Sequence, residues 1–127
     1  MNIELKNRLI LDLSSTNLVL TRDDLWAVLS SAPSEVEGLR LALIEGRING
    51  QAYEGECACL IGTIAKVRGC YYKNLEILKP NSGRLAEIFF LGVNVGDTAE
   101  KNIRVKIALN WIDQWLFNVK SAFQKTS

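Results

Sequence analysis

Two glycine-punctuated blocks place the strongest constraint on how this chain can fold. They span residues 53–65 and 92–102, and small or polar side chains are denser there than a plain hydrophobic core requires. In the first block a surface of small residues would let another backbone approach closely. The sequence therefore predicts a helix from about Glu56 to just before Gly69 that packs tightly through its small residues, namely Cys57, Ala58, Cys59, Gly62, Thr63 and Ala65.

The start of this predicted helix has a second interpretation. A helix N-terminus preceded by a glycine, here Gly55, offers free amide groups to an anion. Glu56 lies at the same place and its carboxylate would compete with a phosphate. The sequence therefore favours close packing over anion binding.

The composition is that of an ordinary globular protein. The 127 residues are 48% hydrophobic and 23% charged, with a formal net charge of +1, and this length suits a single domain over residues 1–127. Because lysine and arginine are interspersed with acids, no basic stripe indicates nucleic-acid binding. No apolar run reaches the roughly 20 residues that a bilayer crossing needs, and the N-terminus lacks the apolar stretch of a signal peptide. We expect a cytoplasmic protein with no membrane partner.

The sequence contains no histidine and three cysteines. Without imidazole the chain lacks the usual general base and the commonest metal ligand, and the odd number of cysteines predicts reduced thiols. On a helix, Cys57 and Cys59 would lie on nearly opposite faces, which disfavours a shared zinc ion. We predict no catalytic residue, no metal and no cofactor; the sequence leaves open whether Cys57 or Cys59 is reactive.

The hydrophobic pattern predicts an α+β fold, with a small antiparallel sheet packed against about four helices. Residues 2–20 alternate loosely and favour an early β-hairpin. Residues 84–95 give the clearest strand prediction, because their side chains are apolar on both faces, as in a strand covered on both sides.

Capping signals predict a helical hairpin over residues 21–45. Thr21 with Asp24 resembles an N-cap followed by an acid, and Ser34 with Glu37 resembles a capping box. Between them a proline ends the first helix.

A long C-terminal helix is predicted from Asp97, which is followed by Glu100 at capping-box spacing, to about Phe123. Apolar residues form an unbroken stripe on this helix at steps of three and four, which predicts a face that builds the core. The stripe consists of Ala108, Trp111, Ile112, Trp115, Leu116, Val119, Ala122 and Phe123.

Asn94 is the polar exception on the predicted central strand. A buried polar side chain must be hydrogen-bonded, so Asn94 either holds the turn at residues 96–97, which the pattern favours, or faces a ligand. If a small molecule binds, we expect it near the candidate ligand-binding side chains of Arg47, Tyr53, Arg84 and Asn94.

Phe117 lies almost opposite the apolar stripe of the long helix, among polar residues that include Asn110 and Asp113. An exposed phenylalanine there is a candidate contact for a second subunit or another partner. Cover by a loop or by the tail of the chain is the equal alternative.

The two blocks resemble a recurrent type of small protein of bacteria and their phages. The resemblance spans about residues 45–118, and no activity is assigned to that type, so it transfers no catalytic residue. It implies a phage or mobile-element origin. This chain departs from the type at Leu85 and Ala99, where the type tends to have proline. The resemblance rests on the sequences GQAYEGECACL at 50–60 and GTIA at 62–65, and on Arg84, Glu87, Phe90, Gly96, Asp97, Thr98, Glu100 and Asn102.

Three functions compete. The small size, the unexceptional charge and the missing histidine favour a non-catalytic binding protein, for instance a phage- or mobile-element-encoded factor that binds or sequesters a component of host defence. One alternative is a small enzyme that uses Cys57 or Cys59 near a helix start, which the neighbouring Glu54 and Glu56 disfavour. The other is a self-associating structural module, in which the last helix or the central strand pairs across a twofold axis. The expected partner is accordingly a protein, a small molecule or a second copy in a homo-oligomer.

Overall fold

The computed structural model describes residues 15–53, 55–75, 78 and 84–126. The regular structure of these residues is helical and includes two 3-10 helices, Pro33–Glu35 and Tyr72–Asn74. The five α-helices are α1 (Ser15–Ser31), α2 (Val36–Ile44), α3 (Leu60–Arg68), α4 (Leu85–Phe90) and α5 (Ile103–Thr126).

The prediction of an α+β fold with an antiparallel sheet is wrong. The described residues contain no β-strand, only an isolated parallel bridge between Ile48 and Ala58. Residues 84–95, predicted as the central strand, form α4 and the turns after it. The buried apolar positions give the reason, because they follow steps of three, one and three residues instead of alternating. They are Ala86, Phe89, Phe90 and Val93.

The predicted N-terminal hairpin is wrong where the structure can test it. Residues 15–20 belong to α1, while residues 2–14 lie outside the described residues. Thr21, predicted as the cap of the first helix, lies inside α1 and is buried. The buried positions from Thr21 onward recur at helical steps: Thr21, Leu25, Val28 and Leu29.

The two helices predicted over residues 21–45 are confirmed, but α1 packs on α4 and α5, and α2 packs on α3 and α5, rather than the two packing on each other as in a hairpin. Their caps also differ from the prediction. α1 ends before Pro33, which begins the 3-10 helix, and α2 follows directly. The Ser34–Glu37 capping box does not form, because Ser34 belongs to the 3-10 helix. Glu35 occupies the N-cap position of α2 without a capping hydrogen bond from its side chain.

α3 is shorter than predicted. It begins at Leu60 rather than near Glu56, because Cys59 occupies its N-cap position. It ends before Gly69 as predicted, and Gly69 adopts the left-handed conformation with φ 82°.

α5 begins at Ile103 rather than directly after Asp97. The side-chain oxygen of Asn102 accepts a hydrogen bond from the backbone N–H of Arg104 at 2.8 Å, which is the bond that an N-cap makes. The Asp97 carboxylate instead accepts hydrogen bonds from the backbone N–H of Asn94 (2.8 Å) and from Asn102 Nδ2 (2.9 Å). Asp97 therefore fixes the turn that leads into the helix.

One hydrophobic core joins the five helices of the described residues. Trp26 Nε1 donates a hydrogen bond to the backbone carbonyl of Trp111 (2.9 Å), and Trp115 Nε1 donates one to Ser30 Oγ (3.1 Å). Because these contacts advance in the same direction along both helices, α1 and α5 run parallel. α2 and α3 pack on each other, and α4 packs on α1.

The apolar stripe predicted for α5 is buried only in the first half of the helix. Leu116 is partly buried, Val119 is 44% exposed and Ala122 is exposed, while the side chain of Phe123 lies outside the described part. The second half of α5 thus extends beyond the core. The buried residues of α5 are Arg104, Val105, Ala108, Trp111, Ile112 and Trp115.

A non-helical segment, residues 46–53, which turns at residues 50–51, contacts both glycine-punctuated blocks, and we call it the crossing segment. Two of its backbone hydrogen bonds reach the second block and two reach the first, so it lies between them. These bonds, of 2.6–3.0 Å, are Gly50 N–H to Val93 O, Gly96 N–H to Gly46 O, Asn49 N–H to Ala58 O and Cys59 N–H to Ala52 O.

Gly50 and Gly62 are the points where backbone meets backbone. A Cβ on Gly50 would lie 2.6 Å from the carbonyl carbon of Phe90, and a Cβ on Gly62 would lie 2.9 Å from that of Tyr53. Both distances are shorter than those real Cβ atoms keep, and a backbone obstacle cannot rotate away. The close approach that the first block predicts is therefore found at Gly62.

Replacing Gly62 by alanine tests this contact. Inside a helix, Gly→Ala ordinarily stabilises a protein by up to about 1 kcal/mol. Here we expect a loss of at least roughly 3 kcal/mol in the free energy of unfolding, because the crossing segment must move away from α3. Urea denaturation measures the change.

Gly69→Ala serves as the control. Gly69 has a positive φ but nothing within 4 Å of the added Cβ, so only the left-handed backbone is strained, at roughly 1–2 kcal/mol. A Gly62→Ala protein as stable as the wild type would contradict the close approach.

Candidate functional site

All three tyrosines of the sequence lie together at the surface. We call Tyr53, Tyr71 and Tyr72 the tyrosine cluster. The rings of Tyr53 and Tyr72 are stacked, with centroids 5.0 Å apart and an interplanar angle of 15°, and the ring of Tyr71 tilts against Tyr72 at 4.7 Å. Lys73 Nζ lies 5.9 Å from the Tyr72 centroid. Since Tyr71 is 46% exposed and the other two tyrosines are half-buried, the cluster presents an aromatic surface to solvent.

Two backbone features bring these tyrosines together. The end of the crossing segment places the backbone of Tyr53 against α3 at Gly62. The chain leaves α3 through the left-handed Gly69 and turns back against α3 as the 3-10 helix that begins at Tyr72. Tyr53 and Tyr72, which precede and follow α3 in the sequence, can therefore stack.

Glu87 of α4 is buried and forms a hydrogen bond with Tyr53 of the cluster. Its side chain is 6% exposed, and its Oε1 accepts a hydrogen bond from the Tyr53 hydroxyl at 2.8 Å. Burial, this hydrogen bond and the charge of Glu87 raise the pKa of the Tyr53 phenol far above its usual range. The phenol therefore stays protonated at neutral pH and serves as a hydrogen-bond donor that fixes its ring.

Cys59 lies at the N-terminus of α3, where its Sγ accepts a hydrogen bond from the backbone N–H of Gly62 at 3.4 Å. Such a bond favours a thiolate. Burial has a larger effect than this hydrogen bond and raises the pKa of the Cys59 thiol. The charge of Glu87 also raises it. The arrangement yields a protonated, shielded thiol, which is a poor nucleophile.

Thiol labelling tests this assignment. In a Cys57→Ser/Cys70→Ser variant, the remaining Cys59 should react with an aromatic disulfide reagent at neutral pH orders of magnitude more slowly than after denaturation, because modification requires opening of the structure.

The Cys59→Ser variant is the matched control. Cys57 and Cys70 are only half-buried, so this protein should label without unfolding. Fast labelling of Cys59 in the folded protein would contradict a shielded thiol and favour the cysteine-dependent enzyme.

Arg84, predicted to bind a ligand, pairs with a carboxylate of α1. Its Nε and Nη2 donate two hydrogen bonds of 3.0 Å to Asp24, whose Oδ2 also accepts one from the backbone N–H of Ala86 (3.0 Å). Burial opposes the charge on Asp24, but the bonds from Arg84 and Ala86 outweigh it and hold the pKa of Asp24 below its usual value. This pair ties α1 to the start of α4.

Asp24→Asn should lower the free energy of unfolding at pH 7 by roughly 1–3 kcal/mol, because Arg84 loses its partner. A carboxyl group whose pKa is depressed by folding stabilises the protein above its unfolded pKa of about 4. That contribution is lost as the pH falls through the folded pKa. Urea denaturation from pH 7 to pH 2 should therefore show the deficit shrinking below about pH 4.

Asp23→Asn is the control for this series. Asp23 is exposed and pairs with the neighbouring Arg22 at the surface, so its loss should change stability by less than about 0.5 kcal/mol. An Asp24→Asn deficit that persists unchanged to pH 2 would refute the assignment.

Arg47 and Asn94, the other two predicted ligand-binding residues, are exposed. Arg47 Nε donates to Glu45 Oε1 at 2.7 Å, and the backbone N–H of Asn94 donates to Asp97. Because no buried strand exists here, the reason for expecting a satisfied Asn94 side chain disappears. Arg47 borders a cavity of about 220 Å³, smaller than typical ligand pockets, together with Glu56, Ala58, Thr63, Lys66 and Val67.

Arg104 is a buried cation that the sequence reading missed. It is 4% exposed, its Nη1 donates to the backbone carbonyl of Phe89 at 3.4 Å, and its guanidinium lies 4.9 Å from the centroid of the Phe89 ring. Burial lowers the pKa of Arg104. Its Nη2 finds no hydrogen-bond partner among the described residues and is closed to solvent, so the group packs against the end of α4 and is not presented to a ligand.

The three candidate interface residues lie on α5 and are all exposed. Phe117 is 69% exposed, the most exposed of the large apolar side chains in the described residues. Asp113 accepts a hydrogen bond from Arg40 of α2 at 2.7 Å. The interface role of Phe117, Asp113 and Asn110 stays a prediction.

Of the three tyrosines, sequence reasoning singled out only Tyr53, as a candidate ligand-binding residue, and that role stays a prediction. It missed the role of Glu87. The strand prediction for residues 84–95 gave Glu87 no structural task. In a helix that starts after Arg84, the same residue falls in the first turn, where an acid is favourable. The position of Glu87 three residues after Arg84, in the first turn of a helix, was the available sequence signal for α4.

Comparison of the chain with protein-family models, with curated protein sequences and with solved structures finds no match. Among the described residues, no helix combines the length and apolar character needed to cross a bilayer. The same residues contain no group of three or more histidine, cysteine or acidic side chains placed to hold a metal ion.

Proposed function

We propose that this chain is a non-catalytic binding protein and that the tyrosine cluster contacts its protein partner. The observation that carries the proposal is the convergence of all three tyrosines on one partly exposed surface. Tyrosine is enriched at binding hot spots because it supplies a large contact area and loses few rotamers on binding.

Preorganisation supports the same proposal. The stacked rings of Tyr53 and Tyr72 and the hydrogen bond to Glu87 hold the surface in one shape before a partner arrives. A surface that is already ordered incurs less entropic cost on association.

The alternative of a cysteine-dependent enzyme has less support. Cys59 is the thiol at a helix start, and its burial and raised pKa disfavour a thiolate. The Tyr53 phenol and the Glu87 carboxylate, which could otherwise exchange a proton with a thiol, are hydrogen-bonded to each other. A host-defence partner, a phage or mobile-element origin and a cytoplasmic location stay predictions from the sequence.

Tyr71→Ala tests the contact surface, because Tyr71 is the most exposed tyrosine and its loss should leave the core intact. Tagged wild-type protein and variant are used as baits in extract of the source cells, and captured proteins are quantified by mass spectrometry. The partner should be recovered at least about tenfold less by the variant, as for a hot-spot residue.

Leu20→Ala is the matched control, since Leu20 is 50% exposed on α1 and outside the cluster. Circular dichroism verifies that both variants fold. Equal recovery of every captured protein by the wild type and by Tyr71→Ala would refute the proposed surface.

A further inference from the structure

The outer face of α5 carries two large apolar residues at equal distances from Asn110. Ile103 is 55% exposed and Phe117 is 69% exposed, and each lies seven residues from Asn110. Seven residues make about two helical turns, or about 10 Å. Ile103, Asn110 and Phe117 therefore follow one line along the outside of the helix.

This face is complementary to itself when two copies meet antiparallel. A twofold axis through Asn110 exchanges positions that lie equally far before and after it, so Ile103 faces the partner's Phe117 and Phe117 faces the partner's Ile103. Asn110 then meets Asn110 of the partner subunit, where two amides can donate to and accept from each other. Both apolar residues lose their exposure in the same contact.

The charges on this face favour the same arrangement. Lys106 and Asp113 are both exposed and lie on the same flank of the line, four residues before and three residues after Asn110. The antiparallel twofold axis places the Lys106 of each subunit beside the Asp113 of the other. In a parallel pairing the twofold axis places this flank of the two copies on opposite sides of the interface, so Lys106 would not lie beside the partner's Asp113.

We propose that the outer face of α5 is the interface of an antiparallel homodimer. The inference is independent of the proposed function, because it concerns a different surface and a second copy of the same chain. A contact made by a single helix face lies at the small end of protein interfaces, below roughly 1,200 Å² in total. The dimer therefore dissociates on dilution.

Sedimentation velocity across a range of micromolar to submillimolar concentrations tests the dimer. The wild-type protein should shift from monomer to dimer as its concentration rises, and Phe117→Asp should remain monomeric over the whole range. Leu20→Asp, the same change at an exposed residue of α1, should dimerise like the wild type. A wild-type protein that stays monomeric throughout, or dimerises equally with Phe117→Asp, would overturn the proposal.

Charge reversal tests the antiparallel order. Lys106→Asp gives a chain that is acidic at both positions, and Asp113→Lys gives a chain that is basic at both. Each variant alone should dimerise more weakly than the wild type, while an equimolar mixture should form a heterodimer. Because Asp113 also pairs with Arg40, the melting temperature of each variant is measured separately. Single variants that associate as well as the wild type, or a mixture that gains nothing, would reject this order.

A cysteine at the twofold axis provides a second readout that does not depend on charge. In a Cys57→Ser/Cys70→Ser background, Asn110→Cys meets its own copy and should form a disulfide-linked dimer under mild oxidation. Gln114→Cys, one turn away, should cross-link far more slowly, because its distance from its own copy exceeds the roughly 7 Å limit for disulfides. Equal cross-linking at the two positions would contradict a twofold axis at Asn110.

Discussion

The structure depends on the close approach of backbone to backbone at Gly50 and Gly62. Through these two contacts the crossing segment packs against the end of α4 on one side and against α3 on the other. The two glycine-punctuated blocks are distant in sequence. Among the described residues, the backbone hydrogen bonds that link them all pass through the crossing segment. The position of Tyr53, and hence of the stacked tyrosines, follows from the same geometry.

The packing that orders the tyrosine cluster also limits its chemistry. Burial and the bond to Glu87 keep the Tyr53 phenol protonated, and burial does the same for the Cys59 thiol. A group that must give up a proton to react is therefore stabilised in its unreactive form. The Tyr53 phenol therefore contributes to this surface through its ring and its hydrogen bond to Glu87.

The sequence allowed prediction of the two helices within residues 21–45, the end of α3 at Gly69 and the long last helix, because breakers and periodic apolar residues are local signals. The predicted helix caps were wrong, since polar residues of the capping type also occur inside helices and turns. It misassigned residues 84–95, where a short run that is apolar on all sides fits a buried strand and a buried helix equally well. The candidate site could not be predicted, since the Tyr53–Glu87 bond joins residues 34 positions apart. Contacts of that kind depend on packing that no local pattern encodes.

The parallel packing of α1 and α5 has a consequence for how the chain matures. Both tryptophan hydrogen bonds between these helices join residues 85 positions apart. During synthesis α1 emerges well before α5, so the apolar side that α5 covers lacks this native neighbour until α5 has left the ribosome. Contacts between residues so far apart in sequence slow folding and prolong the exposure of apolar surface. A message truncated before the last helix would therefore yield a product that aggregates or is degraded.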